Sequence, residues 1–357
     1  MTKYDLEETA RALVAAGKGI LAADESVSTI TKRFDTLHIP STAETRRAYR
    51  EMLFTTQDLA RFISGVILYD ETIRQTTERG EKLAEALTHA GIMPGIKVDT
   101  GAKPLAACPG ETVTEGLDGL RDRLQEYLGM GARFAKWRAV IRVSDSLPSD
   151  TCVDVNAHAL GRYAALCQEA GLVPIVEPEV LMDGTHTLAR AEEVTGRVLE
   201  RVFQALSTQR VALEGMLLKP NMVVPGKESP EPASVAAVAT ATLRVLRRHV
   251  PAAVPGIVFL SGGQDERTAS AHLNAMNAGP DVRPWRVSFS YGRALQDAAL
   301  EAWGGRASGV EAGQQALHHR ARCNSAASLG RYDESMERDT ADVAMAPQSR
   351  RAHWSDD

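Results

Sequence analysis

The chain has 357 residues, of which 44% are apolar and 24% are charged, proportions typical of a globular protein rather than a disordered or fibrous one. Its 41 lysines and arginines are outnumbered by 46 aspartates and glutamates, giving a formal net charge of −5. This balance argues against a nucleic-acid partner.

The first residues predict neither a secretory signal nor a membrane anchor, because charges recur throughout the first eight positions. The longest apolar run, residues 250–260, contains two prolines and is much shorter than the roughly 18 residues of a membrane span. The four cysteines form no Cys-x-x-Cys pair and are too few for a disulfide framework. We expect a cytoplasmic protein with reduced thiols and no membrane partner.

Eight short apolar runs, separated by longer segments of helical periodicity, follow one another along the chain. They lie at residues 19–23, 62–68, 95–98, 134–141, 172–176, 215–218, 256–260 and 286–289. Near-continuous apolar strands are typical of parallel sheets covered by helices on both faces. Eight such units predict a (β/α)8 TIM barrel. A doubly wound sheet is the alternative fold, but no Gly-x-Gly-x-x-Gly follows a strand.

The connecting segments carry helix signals. Residues 41–44 and 112–115 have the spacing of a capping box, and residues 188–206 and 235–250 predict long helices. An additional N-terminal helix is expected over residues 5–16, covering the bottom of the barrel. Residues 1–330 are therefore interpreted as one domain, followed by a polar tail, 331–357, that we expect to be mobile.

Charged residues interrupt the apolar runs, which is unusual because a buried charge is costly unless it is paired. Three of the nine lysines do so, namely Lys97, Lys136 and Lys219. Internal salt bridges would explain any one of them. However, Asp24, Lys97, Glu177, Lys219 and Ser261 all come at the ends of their runs. In a barrel these ends meet at one mouth, where active sites are found.

Lysine and carboxylate side chains in one apolar site favour nucleophilic amine chemistry. An amine nucleophile must lose its proton, which desolvation and a neighbouring cation promote. Lys219 has apolar neighbours in the sequence, and Lys136 can supply the nearby charge. Glu177 and Glu179 are two residues apart, so they share a face of an extended strand and can divide into acid and base.

The last two units end in small residues that expose backbone N–H groups, a pattern that suits phosphate. Ser261 and Gly262 follow the seventh run, and Gly292 and Arg293 follow the eighth. Barrels often bind phosphate there. Arg33, shortly after Ser26, offers a second anion site.

The sequence predicts no metal site and no cofactor. None of the nine histidines forms a His-x-x-x-His or His-x-Asp set at a strand end, and we interpret them as residues of helix surfaces or loops.

Seven segments resemble the class I fructose-bisphosphate aldolases, in the order of that family and over residues 5–330. They are GILAADES (19–26), GIKVD (95–99), FAKWR (134–138), VPIVEPE (173–179), LLKPNMV (217–223), FLSGGQ (259–264) and FSYGRALQ (289–296). The resemblance implies cleavage of fructose 1,6-bisphosphate through a lysine Schiff base, without a metal. It also implies a homotetramer.

Roles for individual residues follow from the same resemblance. Lys219 would be the Schiff-base nucleophile and Glu177 the general acid and base, with Lys136 and Glu179 as electrostatic partners and Asp24 polarising the C4 hydroxyl. The residues expected to bind the phosphorylated sugar are Ser261, Gly262 and Arg293 at one phosphate, Ser26, Arg33 and Lys97 toward the other, and in addition Arg138 and Gly292.

Two segments depart from the animal pattern of this family. Val27-Ser28-Thr29 replaces Thr-Gly-Ser near the distal phosphate, and the chain does not end in the tyrosine that moves a proton at C3, its last tyrosine being Tyr332. A preference for fructose 1-phosphate, another lysine aldolase, or a barrel that binds without turnover are the alternatives. Retention of the full lysine and carboxylate set argues against the last of these.

Overall fold

The computed structural model describes residues 3–279 and 282–338. Its strands are β1 (Gly19–Ala23), β2 (Ile63–Leu68), β3 (Met93–Lys97), β4 (Gly101–Pro104), β5 (Thr112–Glu115), β6 (Phe134–Ile141), β7 (Val173–Val180), β8 (Leu217–Leu218), β9 (Gly256–Phe259) and β10 (Arg286–Tyr291). Its helices are α1 (Lys3–Leu13), α2 (Val27–Asp35), α3 (Ala43–Phe54), α4 (Asp70–Arg74), α5 (Leu83–His89), α6 (Leu120–Gly129), α7 (Asp150–Ala170), α8 (Leu188–Thr208), α9 (Val235–His249), α10 (Glu266–Ala278), α11 (Arg293–Trp303) and α12 (Val310–Ser328).

Eight parallel strands close into a barrel in the order β1-β10-β9-β8-β7-β6-β3-β2. This confirms the predicted TIM barrel and excludes the doubly wound alternative. Every residue of β1, β2 and β7 is buried, as expected for strands covered by side chains inside the barrel and by helices outside it. The strand β8 is the shortest, and the backbone N–H of the following Lys219 donates to Val176, so the chain stays paired where the strand ends.

One predicted helix start is wrong. Residues 112–115 form β5, which pairs antiparallel with β4 outside the barrel. The Thr114 hydroxyl donates to the Arg138 carbonyl, and the Thr114 N–H donates to Asn156. These long-range hydrogen bonds, with the β preference of threonine and valine, override the local capping pattern. The other pattern does begin a helix, but Thr42 is the residue that caps α3, through the N–H of Thr45.

The N-terminal helix covers the bottom of the barrel, as predicted. Leu13 and Val14 enter a buried cluster inside the barrel, where glycines leave room for them. A Cβ on Gly65 would lie 2.8 Å from Leu13, and one on Gly256 would lie 2.6 Å from Val14. No helix among the described residues is long and apolar enough to cross a lipid bilayer.

Gly95 on β3 has a similar role, and its replacement by alanine is expected to destabilise the fold. A Cβ at this position would overlap the buried ring of Phe134. Relief of that overlap should cost about 1–3 kcal/mol of the free energy of unfolding, measured by urea denaturation. Gly129→Ala is the matched control, because nothing lies within 4 Å of a Cβ there. Equal stability of the two variants would contradict this packing.

The segment after the predicted boundary at residue 330 starts with residues that contact two helices of the barrel. Residues 331–338 pack on the barrel and include a short 3-10 helix, Glu334–Glu337. The Tyr332 side chain is buried and its hydroxyl donates to Glu337 at 2.8 Å, while Arg320 donates to both oxygens of that carboxylate. These polar contacts, together with the packing of Tyr332 and Met336 on the hydrophobic core, hold a segment that lacks an apolar period. The rest of the predicted tail lies outside the described residues.

Candidate active site

A cavity of about 830 Å³ opens at the carboxyl ends of the barrel strands, and all thirteen predicted site residues line it. A second cavity, of about 980 Å³, lies at the opposite end beside α1 and contains none of them. The expectation that the strand ends bring these side chains together is therefore confirmed. Their individual roles remain predictions.

Five charged side chains form the centre of this cavity, four of them buried and one, Asp24, 13% exposed. The Lys136 ammonium lies 2.8 Å from the Asp24 carboxylate and 3.2 Å from one oxygen of Glu177. The other oxygen of Glu177 lies 3.2 Å from the ammonium of Lys219. Asp99 is 3.9 Å from Lys136 on another side. Glu177 thus bridges two lysines whose charges would otherwise repel each other.

These contacts shift the titration of two groups in opposite directions. Burial alone would raise the pKa of Asp24, but the positive charges of Lys136 and Lys219 outweigh it and lower the pKa from 3.8 to about 2. Burial would lower the pKa of Lys136, but Asp24 and Glu177 raise it well above its ordinary value. Asp24 is therefore an ionised carboxylate at neutral pH, and Lys136 remains a cation.

The register of the strands explains why these residues meet. Lys97, the last residue of β3, pairs with Lys136 on β6, and Lys136 pairs with Ile175 on β7. Glu177 lies two residues beyond Ile175, on the same face of the strand. Glu179 also lines the cavity, so the prediction that the two glutamates point the same way is confirmed.

Two predicted residues have partners that the sequence did not indicate. Glu179 forms its ion pair with Arg138 and not with either lysine of the centre. Lys97 lies 2.6 Å from the Asp99 carboxylate and also donates to the Asp99 carbonyl. Asp99 was missed as a site residue, although its position two residues after Lys97 places both on one face of an extended chain.

The loop after β9 and the start of α11 form one candidate phosphate site. Gly262 and Gly263 have φ angles of +61° and +88°, which glycine adopts without strain, and Ser261 before them is buried. A Cβ on Gly263 would lie 3.2 Å from the guanidinium of Arg293, so that side chain reaches across the loop. Gly292 caps α11, whose N-terminus favours an anion.

Arg33 and Ser26 lie at another part of the same cavity. Ser26 caps α2 through the N–H of Thr29. Arg33 donates to two carboxylates, Glu25 and Asp297. Neither Glu25 nor Asp297 was predicted as a site residue from the sequence. Glu25 is next to Asp24, but Asp297 is 264 residues from Arg33, and only its place one helical turn after Arg293 could have suggested it.

Tyr332, the last tyrosine of the chain, is not at the cavity. Its hydroxyl is bonded to Glu337, and its side chain is only 9% exposed. The hydroxyl of Tyr332 is therefore engaged away from the cavity.

One group of potential metal ligands occurs in the described residues, formed by His319, Cys323 and Glu337. None of the three lines the cavity, and the guanidinium of Arg320 already neutralises Glu337. We assign no metal to this group. The buried positions of His319 and His272 differ from the surface positions expected for histidines; His272 is held by Gln264 at 2.6 Å.

Comparisons with known proteins agree with this geometry. The family model described as "Fructose-bisphosphate aldolase class-I" matches residues 5–350. A probable fructose-bisphosphate aldolase class 1 of Xylella fastidiosa is 56% identical over 333 residues, covering 93% of this chain and 99% of that protein. Fructose-bisphosphate aldolase 4, cytosolic, of Arabidopsis thaliana is 50% identical over 329 residues, covering 92% of this chain and 84% of that protein.

Among solved structures, the fructose-bisphosphate aldolase of Plasmodium falciparum, crystallised with TRAP and a small-molecule inhibitor, superimposes with a TM-score of 0.91 at 48% identity. The match covers 92% of this chain and 95% of that one. With the barrel, the lysine and carboxylate centre and these relatives, the chain belongs to the class I fructose-bisphosphate aldolase family.

Proposed function

We propose that Lys219 is the nucleophile with which this class I aldolase reversibly cleaves fructose 1,6-bisphosphate into dihydroxyacetone phosphate and glyceraldehyde 3-phosphate. One observation carries the proposal. Glu177 lies 3.2 Å from Lys219 and 3.2 Å from Lys136, so a single carboxylate can exchange a proton with the nucleophile while a fixed cation holds it in place.

The reaction begins at the C2 ketone of the open-chain sugar. The neutral amine of Lys219 attacks C2, and the resulting carbinolamine loses its hydroxyl as water when Glu177 donates a proton to it. The product is an iminium that keeps a positive charge on nitrogen. Lys136 stays protonated beside Asp24 and Glu177, so it stabilises the carboxylates without competing as a nucleophile.

Cleavage of the C3–C4 bond uses the iminium as an electron sink. A carboxylate, Asp24 or Glu177, removes the C4 hydroxyl proton; the bonding electrons move toward the iminium nitrogen, and glyceraldehyde 3-phosphate leaves. Protonation of the remaining enamine at C3 restores the iminium, and water then releases dihydroxyacetone phosphate from Lys219. Asp24 suits the removal of the C4 hydroxyl proton because its low pKa keeps it ionised.

The two phosphates are assigned by how close each group of binding residues lies to Lys219 around the barrel. Strand β9 neighbours β8, and the N–H of Leu260 donates to the carbonyl of Pro220, so the Ser261 loop lies next to Lys219. We assign the C1 phosphate to Ser261, Gly262, Gly292 and Arg293. We assign the C6 phosphate to Ser26, Arg33, Lys97 and Arg138, on the other strands of the cavity.

A preference for fructose 1-phosphate is the second candidate, favoured by the engagement of Arg33 with two carboxylates. The ratio of kcat/KM for the two sugars separates the candidates. We further propose a homotetramer in the cytoplasm. The family resemblance supports the homotetramer, and the name of the Arabidopsis relative supports the location.

Cleavage of fructose 1,6-bisphosphate is expected to be unchanged by excess EDTA, because the amine of Lys219 supplies the electron sink that a metal supplies in other aldolases. The assay couples the released triose phosphate to NADH oxidation, with and without prolonged dialysis against the chelator. Loss of activity that zinc restores would contradict the lysine mechanism.

A further inference from the structure

Asp297 brings a negative charge to the part of the cavity where phosphate is expected to bind. Its carboxylate accepts a hydrogen bond from Nη2 of Arg33 at 2.7 Å, and both side chains line the cavity with Arg293. Asp297 lies one turn after Arg293 on α11, so the charge of Arg293 also acts on it. A phosphate that reaches Arg33 must therefore compete with this carboxylate.

Arg33 does not depend on Asp297 for its position. Its Nη1 donates to Glu25, whose other carboxylate oxygen accepts from Arg50 at 2.6 Å. Gln296 also donates to Glu25, at 3.0 Å. The side chains of Glu25 and Arg50 are 11% and 3% exposed, whereas Asp297 is 48% exposed. The buried pair of Glu25 and Arg50 thus holds Nη1 of Arg33 in place. Asp297 contacts Nη2 of Arg33 from a more exposed position.

The charges of this group cancel. Arg33 and Arg50 contribute two positive charges, and Glu25 and Asp297 contribute two negative ones. Burial raises the pKa of Asp297 even though Arg33 opposes the rise, so the ion pair does not fully offset the cost of placing this carboxylate here. Without Asp297 the group would carry one net positive charge and attract an anion.

We propose that Asp297 is a specificity-determining residue that weakens the binding of the C6 phosphate by competing with it for Arg33. The proposal rests on the assignment of Arg33 to that phosphate. It predicts that the native chain discriminates less strongly between fructose 1,6-bisphosphate and fructose 1-phosphate than a chain with an uncharged residue at this position.

The condensation reaction separates the two phosphates, because the C6 phosphate enters on glyceraldehyde 3-phosphate and the C1 phosphate on dihydroxyacetone phosphate. In Asp297→Asn, the KM for glyceraldehyde 3-phosphate is expected to fall about three- to tenfold, as removal of one opposing charge implies. The KM for dihydroxyacetone phosphate should fall less, because Asp297 hydrogen-bonds Arg33 directly but acts on Arg293, which is assigned to the C1 phosphate, only through its charge.

Glu301→Gln is the matched control. Glu301 lies one turn beyond Asp297 on α11, lines the same cavity and has no ion pair with Arg33. The Glu301→Gln substitution removes the same charge from the same helix face. It should give a smaller fall in the KM for glyceraldehyde 3-phosphate than Asp297→Asn gives.

An unchanged or higher KM for glyceraldehyde 3-phosphate in Asp297→Asn would overturn the proposal and indicate that Asp297 positions Arg33. An equal fall for both triose phosphates, or an equal fall in Glu301→Gln, would overturn it as well, since the effect would then be a general one of charge. Failure of the proposed function gives a different result, because the native chain itself would then not condense the two triose phosphates.

Discussion

Replacement of Lys219 by arginine is expected to lower kcat for fructose 1,6-bisphosphate cleavage by at least about 10⁴-fold, as removal of a covalent nucleophile does in other enzymes. Arginine keeps a positive charge beside Glu177, so the buried ion pair and the fold should survive. The guanidinium cannot form an iminium with a ketone at neutral pH, because it remains protonated. The coupled assay of triose phosphate release measures this loss.

The control for this experiment is Lys82→Arg. Lys82 is 57% exposed, precedes α5 and does not line the cavity, so the same substitution there should leave kcat unaltered. Substantial cleavage by the Lys219 variant, at a tenth of the native rate or more, would show that another lysine is the nucleophile. Lys136 would then be the first to test, because it contacts the same Glu177.

Glu177→Gln is expected to lower kcat by about 10²- to 10⁴-fold, the usual contribution of a general acid and base. An amide cannot donate the proton that releases water from the carbinolamine. It also leaves Lys136 and Lys219 without the carboxylate that separates their charges. The KM should change much less than kcat, because Glu177 is not assigned to either phosphate.

Glu179→Gln makes the same chemical change two residues farther along β7. Its carboxylate pairs with Arg138 and does not contact Lys219, so we expect a smaller loss of kcat than in Glu177→Gln. Rapid quenching with borohydride should show that the Glu177 variant accumulates iminium more slowly than the Glu179 variant. Equal rates in the two variants would contradict the assignment of the acid and base to Glu177.

The barrel and the place of its site could be predicted because both depend on local patterns. Buried parallel strands give near-continuous apolar runs, and a charged residue at the end of such a run is visible in the sequence. Lys97, Lys136 and Glu177 met as expected, since the strand register brings residues at similar depth together. The motif resemblance then supplied their roles.

The features that could not be predicted from the sequence depend on contacts between distant parts of the chain. The strand β5 forms against β4 and the Arg138 carbonyl, although its own residues have the spacing of a helix start. Asp297 lies in the cavity and pairs with Arg33, which is 264 residues away in the sequence. The segment 331–338 packs through the ion pair of Glu337 and through two isolated apolar side chains, Tyr332 and Met336, that have no helical or strand period. Residue periodicity contains no signal for such pairings.

The proposed mechanism depends most directly on a covalent bond between Lys219 and the substrate. The native enzyme should be incubated with dihydroxyacetone phosphate and sodium borohydride, which reduces an iminium to a stable secondary amine, and the digested chain should be mapped by mass spectrometry. We expect loss of activity and one three-carbon phosphate adduct per chain, located on Lys219. An adduct on Lys97 or Lys136, or an active chain without any adduct, would contradict the assignment of Lys219 as the nucleophile.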